Sequence, residues 1–197
     1  MSAIALLTLS GCGAAQLVNV WRDPSLDGDR VRSALVVSQS KDPVARRLWE
    51  DAVRDQMIKH GVETVASYSL FPDAPPAKPD MDRALADRGL DHALILNPLP
   101  STTDTHWVPG WTSEEARAFY DPWVHESVVV YRPIRHRGYL VADRIAREQV
   151  TLWSAGDGGR MVWAGTVTVE NPGSADALRD DLAKAVVPEM KKAGLIG

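Results

Sequence analysis

One segment in the first third of the chain constrains the fold more than any other. It begins with a short apolar run typical of a buried strand, Ala34-Leu35-Val36-Val37. A helix is predicted next, because Asp42 can cap its N-terminus, Pro43 suits its first position and Gly61 can end it. Residues 62–67 then return as a strand. The sequence therefore predicts a β-α-β unit, whose crossover is right-handed if its strands are parallel in one sheet.

Strands and helices alternate through the rest of the chain. Further strands are predicted at residues 17–21, 92–96, 126–131, 145–153 and 161–169, the last two joined as a β-hairpin by the glycine-rich turn at 156–159. A second helix is predicted from an N-cap at Asp80 to Gly89, and an amphipathic C-terminal helix at residues 175–193 contains Pro188. We expect a single α/β domain over residues 17–197, with helices packed on a mixed sheet of about five or six strands.

The sequence Leu9-Ser10-Gly11-Cys12 has the form of a lipobox, in which the cysteine is lipidated. The apolar stretch before it is shorter than the roughly 20 residues that a membrane span needs, so residues 1–11 are interpreted as a signal-peptide remnant. Cys12 is the only cysteine, and two acyl chains on it would anchor the protein stably, with residues 12–20 as a tether. Gly13 stands where inner-membrane lipoproteins often carry Asp, which favours the outer membrane, facing the periplasm. A chance match in a frayed N-terminus is the alternative.

Composition and charge narrow the classes of partner. A chain of 197 residues with 45% hydrophobic content is long enough for one domain with its own core. Its net charge of −4 argues against a general surface for nucleic acid or anionic membrane. Apart from the membrane that the lipid anchor would enter, the expected partners are therefore a protein of the cell envelope, a glycan or a small molecule.

Aromatic side chains concentrate in residues 100–124, where the sequence loses its periodicity. They are Trp107, Trp111, Phe119, Tyr120 and Trp123. We expect an irregular excursion here, and long irregular segments in compact domains are often functional. Its rings are candidates for contact with a partner protein or for stacking on a sugar of the cell wall. The alternative is a lid, in which the rings fold back on the sheet and close the core.

The densest positive cluster of the chain follows, in a predicted connection over residues 131–139. Arg132, Arg135 and Arg137 are candidates for binding an anion, because guanidinium groups pair well with phosphate and carboxylate. Such a cluster suits lipid headgroups or an acidic partner. A solvated hairpin tip is the alternative.

Familiar catalytic and metal-binding motifs are absent from the sequence. It contains no G-x-S-x-G elbow, no H-E-x-x-H, no C-x-x-C and no phosphate-cradling glycine loop, so no cofactor is expected. The five histidines lack i,i+4 pairing, and no metal site is expected. Asp91-His92 is a candidate acid-base pair, although a histidine that enters a strand is usually satisfied by its neighbours. A hydrolase site assembled around His92 or His125 remains a third functional class.

Six short stretches occur in a characteristic order along most of the chain. They are Trp21-Arg22-Asp23-Pro24, Leu35-Val36-Val37-Ser38, Arg47-Leu48-Trp49-Glu50, Gly61-Val62 leading to Ser67-Tyr68, the hairpin from Leu152 to Trp163, and Gly194-Leu195-Ile196. In this order they resemble a family of bacterial lipoproteins, mostly Gram-negative, that carry one α/β domain of unknown function behind the lipobox. The resemblance carries no activity and no catalytic residues over to this chain, and the aromatic segment is particular to this chain's branch.

Tethering, an aromatic segment and the missing motifs together favour a non-catalytic role. We expect an envelope interaction or assembly module, anchored in the outer membrane and facing the periplasm. The alternative is a periplasmic lipoprotein that binds a glycan or a small molecule through Trp107, Trp111 and Trp123.

Overall fold

Eight strands and three helices make up the part of the chain that the computed structural model describes, residues 15–25, 30–121, 123, 125–156 and 159–197. The strands are β1 (Gln16–Arg22), β2 (Ser33–Ser38), β3 (Glu63–Ala66), β4 (His92–Val108), β5 (Thr112–Asp121), β6 (Glu126–Arg135), β7 (Tyr139–Ser154) and β8 (Arg160–Glu170). The helices are α1 (Pro43–Lys59), α2 (Lys78–Arg88) and α3 (Ala175–Lys192). The predicted signal-peptide remnant and Cys12 lie outside the described residues. No helix within those residues is long and apolar enough to cross a membrane.

A mixed sheet of six strands confirms the predicted α/β fold. Its order is β1-β8-β7-β4-β2-β3, and β5 and β6 form a separate two-stranded sheet. Strand β2 runs parallel to β3 and to β4, as the predicted β-α-β unit requires. Strand β8 runs antiparallel to β1 and to β7, which confirms the predicted hairpin.

Helices cover both faces of this sheet. Ala34 and Val36 belong to one core cluster, with side chains from α1 and α3. Leu35 and Val37 belong to a second cluster, with side chains from α2. Because successive side chains of a strand point to opposite faces, β2 is buried on both sides, and all six of its residues are buried. This explains why β2 is an unbroken apolar run in the sequence.

The local sequence predicted the start of α1 correctly but not the start of α2. Asp42 caps α1 as predicted, since its Oδ1 accepts hydrogen bonds from the backbone N–H groups of Val44 at 2.8 Å and Ala45 at 3.2 Å. Asp80 is not the N-cap of α2, which begins at Lys78 and has Asp80 in its first turn. Pro79 accounts for the difference, because its fixed φ suits the first turn of a helix, so the helix begins before Asp80.

A buried ion pair joins α1 to the ends of β2 and β3. Glu50 is fully buried, and its Oε1 accepts hydrogen bonds from Arg46 Nε at 3.1 Å and from the Ser38 backbone N–H at 3.0 Å. Ser67 Oγ donates to the same carboxylate at 2.8 Å and accepts from Arg46 Nη2 at 2.8 Å. The Tyr68 backbone N–H donates to Glu50 Oε2 at 2.8 Å. Both charges are therefore compensated and hydrogen-bonded, as buried charges must be.

A second buried carboxyl lacks such compensation. Glu148 on β7 is 5% exposed, and its Oε1 has no hydrogen-bond partner among the described residues. It lies beside Trp49 of α1, Leu178 and Leu182 of α3, and its cross-strand partner Val167. Burial in this apolar setting raises the pKa of Glu148 from 4.5 to about 8, because the charged form is poorly solvated there.

The segment with the aromatic side chains is regular structure, which corrects the expected irregular excursion at residues 100–124. Strand β4 continues to Val108, β5 occupies most of the remainder, and the predicted basic connection belongs to β6 as far as Arg135. The chain forms two compact units, of which Thr103–Asp143 is the second. Outside residues 119, 121, 122, 124 and 128, whose burial is not described, no residue in 103–143 is buried. The usual strand signal, alternation between a buried apolar face and a solvated one, is therefore weak in this part of the sequence.

Replacing Glu50 is expected to destabilise the fold strongly. Glu50→Gln leaves the Arg46 guanidinium buried without an opposite charge, and breaking a buried pair costs about 3 to 5 kcal/mol of the free energy of unfolding. Asp82→Asn is the control, since it breaks an exposed i,i+4 pair with Lys78, which contributes less than about 1 kcal/mol. Urea unfolding of both variants measures the difference. Equal effects would contradict the structural role of the buried pair.

The raised pKa of Glu148 predicts a pH-dependent stability. Between pH 4.5 and about 8 the folded state keeps a proton on Glu148, whereas the unfolded state has lost it. The contribution of Glu148 to the free energy of unfolding is therefore full below pH 4.5 and is lost as the pH rises through about 8. At about 1.4 kcal/mol per pKa unit, the loss is on the order of 5 kcal/mol. Glu148→Gln should remove this slope, whereas Glu170→Gln, at an exposed position on β8, should keep it. Parallel profiles for the wild type and Glu148→Gln would show that the carboxyl titrates normally.

Candidate functional site

The hairpin of β5 and β6 carries an exposed apolar face. The two strands pair antiparallel over ten rows, from Thr112 opposite Arg135 to Asp121 opposite Glu126. Residues directly opposite each other share a face, and alternate rows share the same face. Three successive rows of one face form what we call the apolar face, which consists of Ala116, Ala118 and Tyr120 on β5 and Ser127, Val129 and Tyr131 on β6.

The side chains of the apolar face are open to solvent. Tyr131 is 64% exposed, Tyr120 59% and Val129 50%. Among the predicted aromatic residues, Trp107, Trp111, Tyr120 and Trp123 are all more than 50% exposed, so none of these four rings is buried. A two-stranded hairpin is only marginally stable in water by itself, and a contiguous exposed apolar surface is a signature of an interaction site. The apolar face is therefore the candidate functional site.

The opposite face of the hairpin combines charged and apolar residues. Glu115 is paired in register with Arg132, and Arg117 Nε lies 3.3 Å from Glu115 Oε2. Val130 and Ile134 lie on this face as well and are exposed, and Phe119 and Val128 form another of its rows. The apolar face differs in that its three rows contain no charged residue.

The base of the hairpin is held by ring stacking and close backbone contacts. The rings of Trp111 and His136 stack with their centroids 4.5 Å apart and an interplanar angle of 14°. Ser113 Oγ lies 2.8 Å from His136 Nε2, and the His136 backbone N–H donates to the Trp111 carbonyl at 2.8 Å. A Cβ on Gly110 would lie 2.4 Å from the His136 carbonyl oxygen, so only glycine permits this approach.

The predicted aromatic residues occupy different parts of the second unit. Trp107 lies against Gly138, and Trp111 stacks on His136 at the start of β5. At the far end Tyr120 OH lies 3.1 Å from His125 Nδ1, and Trp123 in the turn is 90% exposed. Phe119 lies on β5 opposite Val128, but its side chain is outside the description. Since β5 spans about 30 Å, Trp111 and Trp123 do not form one platform.

The three predicted anion-binding arginines are not one cluster. Arg132 and Arg135 both lie on β6, and their separation by three residues places them on opposite faces. Arg132 lies opposite Glu115, which supplies a compensating charge. Arg137 follows the end of β6. The strand alternation therefore divides a cluster that is dense only in the sequence.

Sequence reasoning missed five residues of the apolar face. These are Ala116, Ala118, Ser127, Val129 and Tyr131. A signal was present in Ala116-Arg117-Ala118, because small apolar and charged residues alternate there as they do in a strand with one solvated face. Ala116 and Ala118 belong to the apolar face only because β5 pairs them with Tyr131 and Val129, and this register cannot be predicted from the sequence of β5 alone.

The Asp91-His92 pair has a structural role in the first unit. Asp91 Oδ1 accepts hydrogen bonds from the Ser33 backbone N–H at 2.9 Å and from Ser33 Oγ at 3.1 Å, which ties the start of β4 to β2. Burial raises the pKa of Asp91, but hydrogen bonds from His92 and from the backbone N–H groups of Ser33 and Arg32 outweigh it, so the pKa lies below its usual value. Ser33 Oγ bonds to the carboxylate and not to the imidazole, unlike a nucleophile beside its base. Among the described residues, no group of His, Cys, Asp and Glu has a metal-binding arrangement.

An apolar cleft of about 180 Å³ lies between α2 and the sheet. Met81 and Leu85 of α2 line it, together with Trp153 of β7. The cleft has room for a molecule the size of one ring. At its edge Lys78 Nζ and Asp82 Oδ2 pair with each other at 2.7 Å, so the charged groups there compensate one another and do not specify a ligand class.

Comparisons with known proteins identify the fold. No protein-family model and no curated protein matches the chain. Among solved structures, the dodecamer of a PelC variant from Paraburkholderia phytofirmans is similar at 12% identity and a TM-score of 0.50, over 88% of this chain and 96% of that one. A second PelC dodecamer structure from that organism gives 12% identity and 0.48 over the same shares. A PDZ domain protein from Parabacteroides distasonis gives 9% and 0.38, over 91% of this chain and 37% of its own. The first likeness shows a shared fold.

Gly110→Ala is expected to disturb the base of the hairpin. The added Cβ meets the carbonyl oxygen of His136, a backbone atom that can move only with the chain around it, and such overpacking costs about 1 to 3 kcal/mol. Gly173→Ala is the control, because nothing lies within 4 Å of its added Cβ. The ring-current shift of the His136 protons in NMR spectra reports the stacking on Trp111. An unchanged shift in Gly110→Ala would contradict the tight approach.

Proposed function

We propose that this protein is a non-catalytic interaction module of the bacterial cell envelope, and that it contacts a protein partner through the apolar face of its hairpin. One observation carries this proposal: three rows without a charged residue, with Tyr120, Val129 and Tyr131 as their large side chains, lie exposed on one face of the hairpin. Exposing such a face to water is unfavourable, and a partner that covers it would stabilise both the face and the hairpin.

A protein surface suits this face better than a small molecule does. The face is a two-stranded β surface, and sheet faces bury their side chains by stacking on another surface about 10 Å away. Tyr120 and Tyr131 supply rigid contact area with a hydroxyl that can remain solvated, which is typical of interface residues. The opposite face, which carries Glu115, Arg117 and Arg132, would stay in solvent.

Membrane attachment is part of the proposal. Cys12 ends a lipobox, and its lipidation would tether the domain to the outer membrane on the periplasmic side. A tether confines the protein to the membrane surface, which raises the effective concentration of partners confined there. A weak contact through a small face would then be sufficient for association.

The glycan alternative receives less support from the arrangement of the rings. Trp107, Trp111 and Trp123 were predicted as one binding set, but the length of β5 separates Trp111 from Trp123 by about 30 Å. One sugar ring can stack only on aromatic side chains that lie close together. A protein partner, by contrast, can contact side chains along the whole length of the hairpin.

The solved structure with the same fold adds a further consideration. That PelC variant is a dodecamer, so the fold is compatible with an assembly of many copies. We therefore regard a further copy of this chain as the first partner to test, alongside other proteins of the envelope.

Photo-crosslinking in intact cells tests the proposal. A probe at position 131 lies on the apolar face, and a probe at position 132 lies on the opposite face and is the matched control. We expect a discrete protein adduct from position 131 that is weak or absent from position 132. The adduct should decrease in Cys12→Ser if the lipid anchor concentrates the partners. Absence of an adduct from both positions, or the same adducts from both, would contradict the proposed surface.

A further inference from the structure

We propose that the partner of the apolar face is the same face of a second copy of this chain. This inference rests on the proposed function, since it requires that the face docks a protein. It names the partner from the arrangement of large and small side chains on the face.

Each row of the apolar face combines one large side chain with one small one. Ala116 lies opposite Tyr131, and Ala118 lies opposite Val129. In the third row the order reverses, because Tyr120 on β5 lies opposite Ser127 on β6. In every row one strand therefore carries the large side chain and the other the small one. The large side chain is on β6 in the first two rows and on β5 in the row at the tip.

A two-fold axis parallel to the strands makes two such faces complementary. It places β5 of one copy over β6 of the other in the same row order, so large meets small in all three rows. The contacts would be Ala116 with the partner's Tyr131, Ala118 with the partner's Val129, and Tyr120 with the partner's Ser127. Interfaces with two-fold symmetry require this self-complementarity.

The other face-to-face two-fold arrangement fits less well. An axis across the strands places each strand over its own reversed copy. In the middle row it puts Val129 against the partner's Val129 and Ala118 against the partner's Ala118, so two large side chains collide while two small ones leave a gap. Well-packed interfaces avoid both conditions.

Charge favours the strand-parallel axis as well. Glu114 and Arg135 lie on the same side of the hairpin as the apolar face, in the two rows that continue it toward the base. With the axis parallel to the strands, Glu114 stacks over the partner's Pro133, next to the partner's Arg135. This diagonal separation is within reach of long side chains, and the symmetry forms the ion pair twice.

The size of the face predicts a reversible association. A hairpin face about 30 Å long and about 10 Å wide is smaller than the roughly 800 Å² that each partner contributes to a standard interface. The twist of a two-stranded ribbon concentrates contact near the middle of the face. The row of Ala118 and Val129 is therefore the position at which to measure proximity.

Cross-linking between two differently tagged full-length chains tests the inference. One chain carries Ala118→Cys and the other Val129→Cys, and a short bismaleimide is used because faces about 10 Å apart are too distant for a disulfide. We expect mixed dimers between the two variants in excess over dimers of either variant with itself. Arg117→Cys with Val130→Cys is the matched control, since these residues pair in the next row but on the opposite face. The unsubstituted chain controls for Cys12.

The outcomes separate this inference from the proposed function. Mixed dimers no more abundant than those of the control pair would overturn the inference, and an excess of Ala118→Cys dimers with themselves would overturn the strand-parallel axis. If the probe at position 131 still captured a different protein, the proposed function would stand without the second copy. Failure of both experiments would overturn both.

Discussion

The buried ion pair between Arg46 and Glu50 is the interaction on which the rest of the α/β domain depends. The Glu50 carboxylate accepts hydrogen bonds from the backbone N–H groups of Ser38, at the end of β2, and Tyr68, just after β3. Arg46 donates to the Phe71 carbonyl at 2.8 Å, which extends the network into the following loop. One carboxylate thus fixes α1 against two parallel strands, and the β-α-β unit in turn supports β4.

The same network occupies the buried polar groups at this end of the sheet. In open α/β sheets, ligands usually bind beyond the carboxyl ends of the strands. Here Glu50 and Ser67 meet their hydrogen-bonding needs with backbone groups and with Arg46, and all three side chains are buried. The polar side chains at the position where this type of fold often binds a ligand therefore stabilise the packing of α1 against the sheet. The candidate functional site lies instead on the exposed apolar face of the hairpin.

The candidate site was only partly predictable. The aromatic concentration between Trp107 and Trp123 lies in this part of the chain, but Tyr120 is the only predicted residue on the apolar face, whose other members are Ala116, Ala118, Ser127, Val129 and Tyr131. Alanine and valine carry no functional signal in a sequence, and they form a face only through the register of β5 with β6. Conversely, Arg132 and Arg135 are neighbours in the sequence but lie on opposite faces, because side chains alternate along a strand.

The sequence by itself determined the elements whose signals are local. The caps at Asp42 and Gly89, the unbroken apolar run of β2 and the hairpin of β7 and β8 each depend on a few neighbouring residues, and the α/β fold follows from their order. Only the tertiary structure decided the pairing of Arg46 and Glu50 with Ser67, the burial of Glu148 and the face shared by Tyr120 and Tyr131. These features join residues that are distant in the chain, and burial and register are properties of the packed molecule that no single segment of the sequence contains.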